Sequence, residues 1–236
     1  MDEKQLPAFE MHPALKRAHG FWADYSKPII YIGSAIILLV GGFLIYKYLV
    51  KLPKEEKANE SVYIVQKYFS DFSNSQSDST KSLLAERCLN GDGANPGVLK
   101  FISKNDGTSA ANLCNYYAGA CYLNLKQFDK ALKYLKEFHT SSDQIQSHDY
   151  AMIGDAYAEL KKNEDALTYY EKAGNLNDKD DYTSSEYLFR AALFAESIGK
   201  KKEAIDLFKK VKEIFPDTEK GKNVDRYLAR LGDVGE

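Results

Sequence analysis

Cysteine is rare in this chain, three in 236 residues, and the three do not make a disulfide framework. Cys114 and Cys121 fall seven residues apart on one predicted helix, about 10.5 Å along its axis at 1.5 Å per residue, beyond disulfide reach. They read as small core residues of that helix, and Cys88 stands alone. Histidine is nearly as scarce. His12, His19, His139 and His148 are the only four, and none pairs with another His or a Cys at metal-ligand spacing. There is no GxSxG, no phosphate-cradling loop and no Gly-rich strand-to-helix turn. The paired carboxylates Glu164/Asp165 and Asp180/Asp181 fall at predicted helix starts or in loops, where capping and solvation account for them. No enzyme, cofactor, metal or small-molecule substrate is expected.

Charge of one sign is lacking too. The formal net charge is -2, so no whole-chain field favours nucleic acid. The distribution is uneven: residues 58–199 carry 14 basic and 20 acidic groups, residues 200–236 carry 10 and 8. Long apolar runs are missing except for one. From Pro28 to Tyr46 there is no charged residue, and Lys27 and Lys47 bracket the stretch. Nineteen helical residues reach about 28 Å, close to the thickness of a hydrocarbon core. Trp22, Tyr25, Tyr31, Tyr46 and Tyr48 cluster near its ends, where amphipathic rings favour the interface. The segment is apolar all round and flanked by lysines, which argues against a buried core helix, and no small-x-small cleavage site follows it, so an uncleaved single-pass anchor is expected. Lysines and arginines are matched on its two sides, so the positive-inside rule gives no orientation.

What the chain does have is a recurring spacing. Gly119, Tyr122, Ala131 and Leu135 return as Gly154, Tyr157, Ala166 and Tyr170, and in weaker form as Ala192, Ala195, Ala204 and Phe208. The small residues suit close helix crossings and the larger ones fill the seams between neighbours. A helical hairpin repeated about every 34 residues resembles the tetratricopeptide repeat (TPR). The expected fold is therefore an all-α TPR solenoid preceded by a single transmembrane helix. The expected layout is a polar tail at 1–27, an anchor at 28–50, a helical cap at 54–108, three repeats at 109–216 and a capping helix with tail at 217–236. Pro53 is expected to break the exit from the anchor, and Pro216 to close the third repeat. Val62, Val65, Phe69 and Phe72 give the cap one apolar helical face. The turn Asn90–Gly97 has the composition of a calcium loop, but its twelfth position is Phe101 where an EF-hand needs a bidentate Glu.

The repeat resemblance also implies a working surface. In such solenoids positions 2, 5, 9 and 12 of each first helix line a concave face. These positions are Leu113, Tyr116, Ala120 and Leu123, then His148, Ala151, Asp155 and Ala158, then Glu186, Phe189, Leu193 and Glu196. The family's carboxylate clamp needs Lys and Asn on successive first helices. Here only Arg190 matches and Glu186 would repel a carboxylate. The partner-binding groove is thus expected from Tyr116, Leu123, His148, Asp155, Glu186, Phe189 and Arg190, of mixed apolar and acidic character.

One early span, a helical cap, the turn Leu89-Asn90-Gly91-Asp92-Gly93 with Pro96-Gly97, and Gly107-Thr108 leading into Asn112–Gly119 together resemble the membrane-anchored tetratricopeptide family of the ancillary SecYEG translocon subunit. The resemblance implies a single-pass protein of the bacterial inner membrane, tail in the cytoplasm and repeats in the periplasm. It implies protein partners: the Sec translocon, a periplasmic chaperone or membrane-anchored prolyl isomerase, and translocating clients. A non-catalytic scaffold or holdase is the leading expectation. The alternatives are a cytoplasm-facing adaptor that recruits a soluble regulator or chaperone to the membrane, and a structural assembly subunit of a membrane complex.

Overall fold

The structure, a computed structural model, describes residues 13–233, and the first twelve residues of the expected tail, His12 among them, lie outside that range. The chain divides into two units, Met1–Lys54 and Glu55–Glu236. In the first, α1 runs Pro13–Ile45 and passes through Pro28, so the helix starts well before the charge-free stretch. A π-helical segment follows, Tyr46–Lys51, and leads into α2, Leu52–Ser61. Pro53 does not interrupt the helix as expected. It follows the π segment within a helix that continues through it, and the widened π turn ahead of it absorbs its ring. Between Tyr25 and Ser61 the helix is long and apolar enough to cross a membrane by length and composition, and no part of its apolar window is buried.

The second unit is helical. Its cap consists of α2 together with α3 (Tyr63–Ser73), α4 (Asp78–Asn90) and α5 (Val98–Lys104). Val62, Val65 and Phe72 face the core as their spacing predicts. The α4–α5 connection folds on itself: Asp92 Oδ1 accepts the N–H groups of Ala94 at 3.1 Å and Asn95 at 2.8 Å. A side chain on Gly97 would sit 2.4 Å from Gly91 N and Leu89 O, so this turn needs glycine for close approach. The cap is tied to the first repeat at the start of α6, where the Glu55 carboxylate accepts the Ser109 N–H at 2.8 Å and Thr108 Oγ1 accepts from Ala111 N at 3.1 Å. Cys88 is not isolated. It lies against Cys121 across the α4–α6 contact, and that thiol pairing with burial pushes the Cys121 thiol far above its ordinary value. All three cysteines are free and buried.

Three helical hairpins follow: α6 (Ser109–Asn124) with α7 (Phe128–Leu135), α8 (Asp143–Glu159) with α9 (Asn163–Gly174), and α10 (Asp181–Ser197) with α11 (Lys201–Ile214). α12, Glu219–Arg230, closes the array. α7 stops at Leu135 because Glu137 and Phe138 turn back on Tyr134 and Leu135 through three-residue hydrogen bonds. The repeat is visible in the turns as well as in the cores. Lys126, Lys161 and Gly199 all adopt positive φ, at 57°, 60° and 82°. In each case the next residue's N–H returns to the carbonyl five places back, from Gln127 to Tyr122, Lys162 to Tyr157 and Lys200 to Ala195, each at 2.9 Å. Each first helix therefore ends in the same left-handed cap.

Candidate partner-binding face

The first helices of the hairpins, α6, α8 and α10, touch one another in succession and form one inner face of the array. The expected groove residues divide over it in three ways. Tyr116 sits at its N-terminal end and is half-buried. Its ring lies 6.1 Å from Phe69 of α3, 5.2 Å from Phe138 and 6.2 Å from His148, while Phe69 stacks on Tyr117 at 4.1 Å. The cap thus covers part of the first-repeat surface. Burial, helped by the nearby Asp149 charge, pushes the Tyr116 hydroxyl up to about 12.

His148 remains exposed on this face, and its Nδ1 is 2.8 Å from the Tyr187 hydroxyl. The surrounding protein bulk lowers its pKa, Asp155 works against that shift and Arg190 adds to it. Further along, Leu123, Asp155 and Arg190 are brought together around an open cleft of about 440 Å³, with Phe128, Ala158 and Tyr170. Asp155 is fully engaged there. It accepts the Tyr170 hydroxyl at 2.7 Å and pairs with the Arg190 guanidinium, which lies 5.0 Å over the Tyr170 ring. Burial first, then the Asp155 charge, raises the Tyr170 pKa.

Two expected residues are placed differently. Phe189 is only 5 % exposed because α12 lies over it: its ring packs perpendicular to Tyr227 at 4.9 Å and 5.3 Å from Phe208. It belongs to the seam under the last helix rather than to an open groove. Glu186 is held by Lys220 of α12 at 3.0 Å. With Asp155 paired to Arg190 and Glu186 to Lys220, the acidic groups expected to set the groove's preference are neutralised within the chain. Sequence spacing alone missed Tyr187 and Tyr170, which supply the hydroxyls, and Lys220, which comes from outside the repeats. Tyr170 could have been found, since it occupies the seam position matching Leu135. Lys220 had no such signal, because its role depends on how α12 docks.

Three segments of the chain match the tetratricopeptide repeat: residues 150–180 in one form and 114–141 and 186–218 in another. They overlie the three hairpins. The fold is similar to that of a crystal structure described as Podosopora anserina putative kinesin light chain nearly identical TPR-like repeats. The two share 10 % sequence identity over 76 % of this chain and 87 % of that one, with a TM-score of 0.51. At that identity the likeness concerns the fold alone. A search of curated proteins gives no match. The hairpins of α6–α11 are tetratricopeptide repeats, and the fold they build is a TPR solenoid, an architecture made for holding other proteins.

Proposed function

We propose that this protein is a non-catalytic, membrane-anchored TPR scaffold that holds a protein segment against the inner face of α6, α8 and α10. The observation that carries the reading is the combination in one chain of an uncovered apolar helix and a repeat array with an open cleft on its inner face. The helix confines the array to the plane of a bilayer and raises its effective concentration near membrane complexes. The cleft offers Leu123, Ala158 and Phe128 as apolar contacts beside the Asp155–Arg190 pair, a surface suited to a helical or extended segment held chiefly by apolar side chains. The fuller reading places the protein in the bacterial inner membrane with its repeats in the periplasm, beside the Sec translocon, serving translocating clients together with a chaperone or prolyl isomerase.

The orientation is tested by placing a cysteine at Ser77, in the exposed α3–α4 connection, and treating intact cells with a membrane-impermeant maleimide. The native thiols are buried, so the background is low. Labelling is expected. Protection until the cells are lysed would place the repeats on the cytoplasmic side and favour an adaptor instead. Co-purification with the translocon, weakened by Leu123→Asp but not by a neutral exposed change such as Gln76→Ala, tests the face itself.

A further inference from the structure

Asp149 is the only Asp, Glu, Lys or Arg that is buried among the described residues, at 1 % exposure. It stands in the second turn of α8, against α6. One carboxyl oxygen, Oδ2, accepts from Gln146 Nε2 at 3.1 Å, and Gln146 Oε1 in turn accepts the Thr140 N–H at 3.3 Å from the connection between α7 and α8. The other oxygen, Oδ1, has no hydrogen-bond partner among the described residues. Across the seam the titratable group close to it is Tyr116 of α6, whose hydroxyl its charge helps to raise.

We propose that Asp149 makes the junction of the first and second repeats a pH-sensitive joint, packed while the carboxyl carries a proton and loosened when it ionises. A neutral carboxyl with one hydrogen bond is tolerable in a core, whereas a carboxylate with one is not. The cations on the elements packed against α8 are committed elsewhere. Lys130 of α7 donates to Gln127 Oε1 at 2.8 Å and Lys133 lies 5.4 Å over the Tyr134 ring. Lys136, following α7, donates to the Tyr157 hydroxyl at 2.5 Å, Lys172 of α9 lies 4.5 Å over the Tyr169 ring, and Arg190 of α10 pairs with Asp155. His148, the neighbouring residue, is bonded to Tyr187. Tyr116 stays neutral at any physiological pH. With no counter-charge to recruit, the carboxylate is relieved by reaching water, which requires α8 to part from α6 and from the α7–α8 connection. Burial pushes the Asp149 carboxyl up to about 7 against the opposing pull of Gln146, so the change falls in the neutral range. Tyr116 and His148 flank this seam on the inner face, so the same event alters the first-repeat end of that face. This joint does not depend on the identity of any partner or on the side of the membrane that carries the repeats.

Hydrogen exchange on the full chain in detergent micelles tests it. After correction for intrinsic exchange, protection of amides in Gln146–Ile153 and Cys114–Ala118 should fall as pH rises from 6 to 8.5. The fall should be steepest below 7, approaching about tenfold per pH unit there, and level off above 7, while amides of α11 and α12 keep theirs. Asp149→Asn should abolish the dependence. The proposal is overturned if wild-type protection at the seam is independent of pH, if the fall persists in Asp149→Asn, or if it is equal throughout α11 and α12. A readout free of any variant is the carbon-13 titration of the Asp149 carboxyl in the wild-type chain. A midpoint near 7 supports the joint, and one near the ordinary value of 3.8 refutes it.

Discussion

The glycines at the hairpin crossings should rank in a definite order when each is replaced by alanine. A Cβ on Gly174, the last residue of α9, would stand 2.6 Å from Leu188 N and Cγ and 3.0 Å from its Cα. Two of those atoms are backbone of α10, and Leu188 is 1 % exposed, so relief requires a movement of α10 itself. On Gly119 the new carbon would meet Leu135 Cγ and Cδ2 at 2.4 Å, and on Gly154 the Tyr170 ring at 2.7 Å. Those neighbours are side chains. Leu135 is wholly buried and has little room to turn, whereas the Tyr170 ring can tilt at the expense of its bond to Asp155. Overpacking of this kind costs about 1–3 kcal/mol, against a gain of about 1 kcal/mol for alanine over glycine inside a helix. The net loss should be about 0–1 kcal/mol at Gly154, about 1–2 at Gly119 and about 2–3 at Gly174, where the position at the helix end also limits the propensity gain. At about 2–4 °C per kcal/mol for a unit of this size, Gly174→Ala should lower the Tm by roughly 4–12 °C. Gly199 is the control. Its φ is 82° and nothing lies within 4 Å of a Cβ there, so it should lose only the left-handed strain, about 1 kcal/mol. Thermal melts followed by circular dichroism decide the matter. If Gly174→Ala melts at or above wild type, or costs less than Gly199→Ala, the close crossings do not constrain the array as argued.

Four further substitutions test the same structure. Lys126→Gly and Lys161→Gly relieve positive φ values of 57° and 60° at the repeat turns, and each should raise stability by about 1 kcal/mol in urea unfolding. Phe189→Ala should behave as a core truncation, costing about 3–5 kcal/mol, because α12 buries the ring; loss of partner binding with an unchanged melt would return Phe189 to the open face. Asp149, raised to about 7 in the fold from 3.8, binds its proton more tightly folded than unfolded, so its contribution is full below pH 4 and is lost between pH 4 and 7. At pH 8 the wild type should be less stable than Asp149→Asn by up to about 4 kcal/mol, and at pH 4 the two should be close, as read from urea midpoints.

The hairpins were legible because their spacing answers directly to packing. Gly119, Gly154 and Ala192 sit where a larger residue would collide with the partner helix, and Leu135, Tyr170 and Phe208 fill the matching seams, each 4 % exposed or less. The turns were less so. Lys126 and Lys161 occupy left-handed positions where a glycine would have announced the helix end, as Gly199 does in the third hairpin. Pro53 misled because the widened π turn ahead of it accommodates its ring, so it marks a change of helical pitch rather than a stop. Cys88 and Cys121 could not be joined by sequence arithmetic, since their contact depends on α4 crossing α6.

The candidate site was legible only where a single helix decides it. Counting along α6 and α8 placed Leu123, His148 and Asp155 on one face, because the helical repeat alone fixes that outcome. It failed at both ends of the array, where helices outside the repeats arrive. α3 brings Phe69 onto Tyr117 and towards Tyr116, and α12 brings Tyr227 over Phe189 and Lys220 to Glu186. A solenoid's first and last hairpins have one unfilled seam each, and whatever closes those seams also takes surface from the inner face. The middle of the array, where α8 has a repeat neighbour on both sides, keeps its cleft open. There Asp155, which looked like an electrostatic signpost, is held by Arg190, so on the proposed reading recognition would rest on shape and apolar contact around Leu123 and Ala158 more than on charge. A partner chosen that way is discriminated by the fit of its side chains, and its binding should be only weakly sensitive to salt.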